Sequence, residues 1–336
     1  MALDPGRRRT GRLVAAPAAA FLLALPACSE RQSALDPGAD HAAAIFNLSL
    51  VLIVGAAVIF AGVMALALYA VFVRPERFPG ARGWVIGGGI LFPVVALSAL
   101  QVHEFGIARR LSAATGPDTL RVEVTGYMWW WDVRYPGAGP AGGIRTANQI
   151  HIPVGRPVEF VVRSADVIHS FWVPSLAGKI DMIPGHVNRL TLTAGRPGIY
   201  RGQCAEYCGA QHALMALHVI AEPAERFDAW LAAQAQPAPE PAGPVLAAGH
   251  DAFLRFGCGA CHRIAGTRAL GVLGPDLTHV GDRLSLAAGT LPNTAEAFAV
   301  WIGNTQHVKP EARMPSFDVM DGETLRSLAA WLESLK

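Results

Sequence analysis

Charged side chains are scarce in this 336-residue sequence: Asp, Glu, Lys and Arg make up 16% of it, against 52% apolar residues. Soluble chains carry more charge than this, so part of the sequence belongs in a membrane. An excess of either sign is also missing, the formal net charge being +2. Without a basic footprint, nucleic acid is excluded as a partner. The sequence has no internal repeat, which sets aside solenoids and propellers. Cysteine is sparse too, with only Cys28, Cys204, Cys208, Cys258 and Cys261. Each lies in a pattern of its own and none is left over for a disulfide framework. Cys-x-x-x-Cys and Cys-x-x-Cys spacings beside histidines suit metal or haem ligation better than disulfides.

What is present divides the chain into segments, its length suiting two or three modest domains. Arg7, Arg8, Arg9 and Arg12 precede an apolar run from Leu13 to Leu25, closed by Leu25-Pro26-Ala27-Cys28. That order is a secretory signal over residues 1–28. Its Leu-x-Ala-Cys ending resembles a bacterial lipoprotein signal, which implies lipidation of Cys28. An ordinary signal peptide with an incidental cysteine is the plainer alternative. No charge occurs from Ala42 to Val73, and the run Ile45 to Val73 exceeds the ~20 residues that cross a bilayer. A second charge-free run follows from Gly83 to Val102. Arg74, Arg77 and Arg82 lie between them, so the connecting loop faces the cytoplasm. Residues 29–112 are therefore expected to form a two-span hairpin in a bacterial inner membrane, with both ends on the periplasmic or outer face.

From Leu120 the apolar period becomes two, as in Arg121-Val122-Glu123-Val124, Ile150-His151-Ile152 and Leu190-Thr191-Leu192-Thr193. Short alternating runs broken by Gly and Pro predict an antiparallel sandwich or barrel. With a helix over Ala224 to Ala233, this domain covers residues 113–235. The Pro/Ala stretch from Gln236 to Pro244 reads as a semi-stiff linker over 236–245. Residues 246–336 return to a helical period. Leu325, Leu328, Ala329 and Leu332 share one face of the closing helix, and Asp321 stands near its start as a cap.

Two thiolates, an imidazole and a thioether occur within twelve residues, at Cys204, Cys208, His212 and Met215. Soft sulfur with imidazole selects copper, and one Cys with His and a weak Met makes a mononuclear site. Two cysteines on one loop can instead bridge two coppers that share an electron, with little reorganisation on transfer. The second copper needs a second histidine, for which His169 in Asp166-Val167-Ile168-His169 is the candidate, at the end of an alternating strand. A structural zinc site is the bland alternative, but zinc motifs rarely use this spacing with Met and Glu. His151, His186 and His218 are assigned no metal.

This loop, with its upstream Asp-x-x-His, resembles the CuA site of cytochrome c oxidase subunit II, over roughly residues 40 to 230. The resemblance implies a cupredoxin fold with His169, Cys204, Cys208, His212, Met215 and the Glu206 backbone carbonyl as ligands. It also implies a magnesium ion at the subunit I interface, held in part by the Glu206 side chain. Gly126-Tyr127-Met128-Trp129-Trp130-Trp131 resembles the family's aromatic stretch, in which Trp129 matches the tryptophan where electrons enter. Taken without the family, a tryptophan run is core or membrane-interface packing. The chain departs from the pattern before the second span. There Ala81-Arg82-Gly83-Trp84 lacks the acidic residue that family members often carry near a proton path, and Glu76 does not align securely with it.

Cys258-Gly259-Ala260-Cys261-His262 is a c-type haem attachment motif, with two thiols for the haem vinyls and His262 as proximal ligand. Met314, in Arg313-Met314-Pro315, is the distal candidate, and Met320 is the runner-up. The stretch Leu273-Gly274-Pro275-Asp276-Leu277 resembles the proximal loop of small bacterial cytochromes c, where the Pro275 carbonyl would accept the His262 ring N–H.

The expected protein is a multi-domain membrane protein: a two-helix transmembrane hairpin, an all-β cupredoxin-like domain and an all-α class I cytochrome c domain. The resemblance implies electron transfer from an external cytochrome c through haem c and CuA to subunit I, where oxygen is reduced, with subunit III as a further partner. The oxidoreductase and translocase activity would belong to that complex. A nitric oxide reductase small subunit with CuA shares these features and is distinguished by its partner. A tethered copper carrier would lack the haem motif, and a quinol oxidase subunit II would lack the copper ligands.

Overall fold

A computed structural model of the chain describes residues 32–72, 80–111, 116–139 and 142–336. The signal segment with Cys28, and the loop residues Arg74, Glu76 and Arg77, lie outside the described residues. The first span is helix α1 (Asp40–Phe72), with a mean hydropathy of 2.8 in its most apolar window and none of that window buried. At 1.5 Å per residue it is about 50 Å long, against a ~30 Å hydrocarbon core. Its N-terminus is tied to the β domain. Thr193 N donates to Asp40 Oδ1 at 2.9 Å, Gly38 N donates to Ser175 O at 2.6 Å, and Ala39 bridges Ala194. This tether starts the helix five residues before Ile45.

The second span comprises α2 (Ala81–Ile86), a π-helical segment Gly87–Leu91 and α3 (Phe92–Leu111). Pro93 follows the π segment, and a widened turn accommodates a proline inside a helix. Hydropathy over Arg82–Arg109 is 2.0, again with no buried residue in the window.

The β domain is a sandwich of two five-stranded sheets. One has the order β3 (Ile144–Ala147), β2 (Trp130–Tyr135), β1 (Leu120–Tyr127), β5 (Pro157–Ser164), β8 (Asn188–Thr193). The other has β4 (Gln149–Pro153), β10 (Ala216–Glu222), β9 (Gly198–Cys204), β6 (His169–Trp172), β7 (Ile180–Met182). The β1–β5 and β4–β10 pairs are parallel and the other pairs antiparallel, so the topology is mixed. Alternation places Val122, Val124, Phe160, Val162 and Trp131 between the sheets, where Trp131 meets Phe171 edge-on at 6.1 Å. Helix α4 (Ala224–Gln234) closes one end through Phe227.

The last domain is helical: α5 (Gly243–Arg255), α6 (Ala295–Gly303), the short α7 (Thr305–Val308) and α8 (Gly322–Ser334). Leu328, Ala329 and Leu332 of α8 are buried, and Asp321 Oδ1 accepts from Glu323 N and Thr324 N at 3.1 and 2.9 Å. Helix α5 begins at Gly243, with Pro244 in its first turn, inside the stretch expected to be linker. The residues before it are pinned to the last domain: Ala238 N donates to Ala265 O at 2.9 Å, and the Gln236 carbonyl lies 3.0 Å from His279 Nε2.

Candidate metal centre and haem-attachment site

Strands β9 and β10 form a hairpin whose connection carries the sulfur-rich loop. Cys204 N donates to Met215 O at 2.9 Å, which closes the loop at its base. Inside it, Cys204 Sγ and Cys208 Sγ lie 3.7 Å apart, His212 Nδ1 is 3.5 Å from Cys208 Sγ, and Met215 Sδ is 3.8 Å from the same sulfur. The Glu206 carbonyl is 3.2 Å from Cys204 Sγ. His169 opens β6 rather than ending the alternating strand, because β5 stops at Ser164 and a turn intervenes. It is fully buried, with Nδ1 at 3.9 Å from Cys204 Sγ. The ligand atoms of His169, Cys204 and Cys208 all lie within 4.8 Å of one another. Among the described residues, this is the one group of three or more His, Cys, Asp or Glu side chains so arranged.

The surroundings favour metal binding. Asp166 Oδ1 meets His169 Nε2 at 2.8 Å, which turns Nδ1 towards the thiols. Asp166 Oδ2 accepts from Met128 N at 2.8 Å. Burial disfavours charge on His169, but its contacts with Cys204 and Asp166 together lift its pKa above the ordinary value. The contact with Cys208 draws the Cys204 thiol down to about 3, so one thiolate forms readily, while the proton on Cys208 is held by that same neighbour and by burial. A metal ion would release the second proton, since the thiolate is the ligand form. The donor set, two thiols, two imidazoles, a thioether and a carbonyl, fits soft or borderline metal.

The three tryptophans play different parts. Trp131 is core, Trp130 stacks on Tyr127 at 4.7 Å, and Trp129 is buried with its Nε1 donating to Cys208 O at 2.9 Å. The Glu206 side chain points outward, half exposed, 4.0 Å from Lys179 Nζ. His151, His186 and His218 stay outside the sulfur cluster: His151 lies between Glu222 and Trp230, and His186 is exposed.

In the helical domain, a 3₁₀ turn (Cys258–Ala260) presents the attachment motif, with Cys258 half-buried and Cys261 exposed. His262 Nδ1 lies 2.8 Å from Pro275 O, the contact expected from the sequence. Gly274 permits the approach: a Cβ there would stand 2.6 Å from His262 Cε1. Leu270, Val272 and Leu273 expose their apolar side chains beside the motif, a wall suited to a porphyrin face. Met314 packs half-buried on the domain core, whereas Met320 is a core residue.

Sequence reading missed Lys309. It is 2% exposed and reaches three backbone carbonyls. Nothing in its local pattern signals this, because its partners lie far away in sequence.

Comparison with known proteins assigns the chain to a family. Residues 137–222 match the family model for the cytochrome c oxidase subunit II periplasmic domain, and residues 246–336 match that for cytochrome c. The cytochrome c oxidase subunit 2 of Alkalihalophilus pseudofirmus is 32% identical over 321 residues, covering 91% of this chain and 92% of that one. The protein of that name from Bacillus sp. strain PS3 is also 32% identical, over 65% of this chain and 63% of its own. The solved periplasmic domain of subunit II of cytochrome oxidase from Bradyrhizobium japonicum is 30% identical, covering 34% of this chain and 92% of its own, with a TM-score of 0.32. A relative matched over nine-tenths of both chains, with a β domain and a helical domain each recognised in turn, establishes that the chain belongs to the cytochrome c oxidase subunit II family, in a form that carries a C-terminal cytochrome c domain.

Proposed function

We propose that this chain carries electrons from an external cytochrome c to the oxygen-reducing subunit I of a terminal oxidase. Haem c and a binuclear copper pair, when bound, supply one-electron chemistry at two places in one polypeptide. Cys258 and Cys261 would hold the haem covalently, with His262 and Met314 as axial ligands. His169, Cys204, Cys208, His212, Met215 and the Glu206 carbonyl would hold the copper pair. Trp129, hydrogen-bonded to the copper loop, would be the point of electron passage. The outward Glu206 carboxylate would contribute to a magnesium ion at the face shared with subunit I, and subunit III would complete the assembly. The two apolar helices support a seat in a bacterial inner membrane, from which the folded domains would face the periplasm.

The observation that carries this reading is the pair of thiols 3.7 Å apart, each with its own imidazole. A single copper needs one thiolate and two imidazoles, whereas two thiolates with one imidazole apiece suit two coppers. The test is electron paramagnetic resonance and optical spectroscopy of the full chain matured with copper and haem. Hyperfine splitting from an electron shared by two copper nuclei, beside a low-spin His/Met haem, is expected. A single-copper pattern overturns the binuclear assignment.

A further inference from the structure

The relay reading leaves open how the two domains are held in register, and the contacts between them point to one side chain. Lys309 follows α7 on the segment that leads to Met314. Its Nζ donates to Leu214 O at 2.7 Å, Trp129 O at 2.8 Å and Ala287 O at 3.1 Å. An ammonium has three donors, and all three are matched. Two of the acceptors lie in the β domain: the peptide of the tryptophan beside the copper loop, and the residue immediately before Met215. The third belongs to the cytochrome domain itself.

The location is specific. Lysine normally keeps its charged end in water, and a buried cation is costly without full pairing. Here every named partner is a neutral carbonyl, and burial draws the ammonium down to about 7. Other cross-domain contacts surround the same spot. Ala216 N, next to Met215, donates to Ala288 O at 2.9 Å, and Leu284 N donates to Gln149 Oε1 at 2.8 Å. Arg313, beside Met314, stands 3.9 Å from Asp166, the carboxylate that orients His169. The segment from Lys309 to Arg313 thus reaches both the copper loop and the carboxylate behind His169.

Resting on the proposed relay, we infer that Lys309 is a positioning residue that locks the cytochrome domain onto the Trp129 peptide and the copper loop, fixing the separation across which electrons pass between the two centres. Its role is geometric, through the backbone carbonyls it gathers, and it touches neither centre directly.

Two measurements on the full, cofactor-loaded chain test this. The sequence has three lysines, Lys179, Lys309 and Lys336, so labelling with a small amine-reactive reagent is read residue by residue by mass spectrometry. Lys179 and Lys336 are expected to react and Lys309 to be protected; modification of Lys309 as fast as Lys179 overturns the lock. In the second, Lys309→Met keeps an unbranched side chain but removes the donors. The copper and haem spectra of the variant are expected to match the parent's, while electron transfer from photoreduced haem to copper slows severalfold. Lys309→Arg, which retains donors, is expected to recover part of the rate. An unchanged rate in a fully loaded Lys309→Met variant overturns the inference. If that variant does not load, the labelling of the parent decides. Absence of the binuclear copper or haem signature in the parent would refute the relay reading, whereas protection of Lys309 is read independently of either spectrum.

Discussion

The Trp129 indole Nε1 donates to the carbonyl oxygen of Cys208 at 2.9 Å. The aromatic stretch between β1 and β2 is thereby joined to the backbone of a copper-loop cysteine 79 residues away. Gly209 makes room for the ring: its φ is +109°, and a Cβ there would come within 3.1 Å of the indole. A left-handed residue is needed at that turn, and glycine adopts it without penalty.

Trp129→Phe keeps an aromatic ring but removes the donor and leaves a buried carbonyl unpaired. The expected loss is about 1–3 kcal/mol of stability, measured by chemical denaturation of the loaded chain. The copper spectrum should survive, because every ligand remains, while reduction of the copper by haem should slow. Wild-type stability and rate together would show that this hydrogen bond has no part in either.

Asp166 ties His169 to the aromatic stretch, with Oδ1 at 2.8 Å from His169 Nε2 and also accepting from Val167 N at 2.8 Å, and Oδ2 accepting from Met128 N at 2.8 Å. Asp166→Asn preserves size but replaces one acceptor with a donor and removes the negative charge behind the imidazole. Copper affinity is expected to fall roughly 10–100-fold, the usual effect of removing a ligand's supporting carboxylate. Competition with a chelator of known affinity measures it, and an unchanged affinity would refute the supporting role.

Much of this arrangement was legible in the sequence, for reasons that differ by region. The membrane helices follow from uninterrupted apolarity, a local property, although the extra turns of α1 before Ile45 depend on Asp40 meeting Thr193 across the fold. The sandwich followed from period-two alternation, but the parallel β1–β5 and β4–β10 pairs did not, because alternation is silent on strand direction. The cysteine loop was legible since its donors crowd into twelve residues, and His169 was recognised through Asp166 three residues before it. Lys309 could not be read, because its three acceptors are backbone carbonyls, which leave no mark in a sequence.

His151 provides a pH dependence. Its Nδ1 lies 2.7 Å from Glu222 Oε1 and its Nε2 lies 3.0 Å from Gln149 Nε2. Gln149 Oε1 is already accepting from Leu284 N, so its amide faces His151 as a donor and the imidazole must accept at Nε2. Protonation would set two donors against each other. Burial accordingly holds the pKa of His151 below the ordinary 6.5, with Glu222 acting in the opposite direction. The folded chain takes up this proton less readily than the unfolded one. The resulting stability is complete above 6.5 and is lost as pH falls from there through the folded-state value. Melting temperature should therefore drop as pH falls below the ordinary 6.5, and His151→Gln should flatten that drop. An identical pH profile in the variant would assign the dependence to other groups.

The crossing of α5 and α8 rests on Gly249. A Cβ there would stand 2.1 Å from Ser327 O and 2.7 Å from Trp331 Cβ, so the two backbones touch with no room for a methyl group. Trp331 is buried at this contact, with Phe253 edge-on to it at 5.3 Å and His250 at 5.1 Å. Two effects oppose each other in Gly249→Ala. Helix propensity favours alanine by up to about 1 kcal/mol. Overpacking against backbone costs about 1–3 kcal/mol or more, since neither helix can yield by rotating a side chain. The second effect wins, because Ser327 O is main chain and moving it shifts the whole of α8, together with the Leu328, Ala329 and Leu332 face that builds the domain core. The cytochrome domain should unfold at a lower temperature in calorimetry of the loaded chain, while the copper-loop absorption melts as in the parent. Equal loss in both domains would mean that they unfold as one unit, and no loss in either would show that the helices separate without cost.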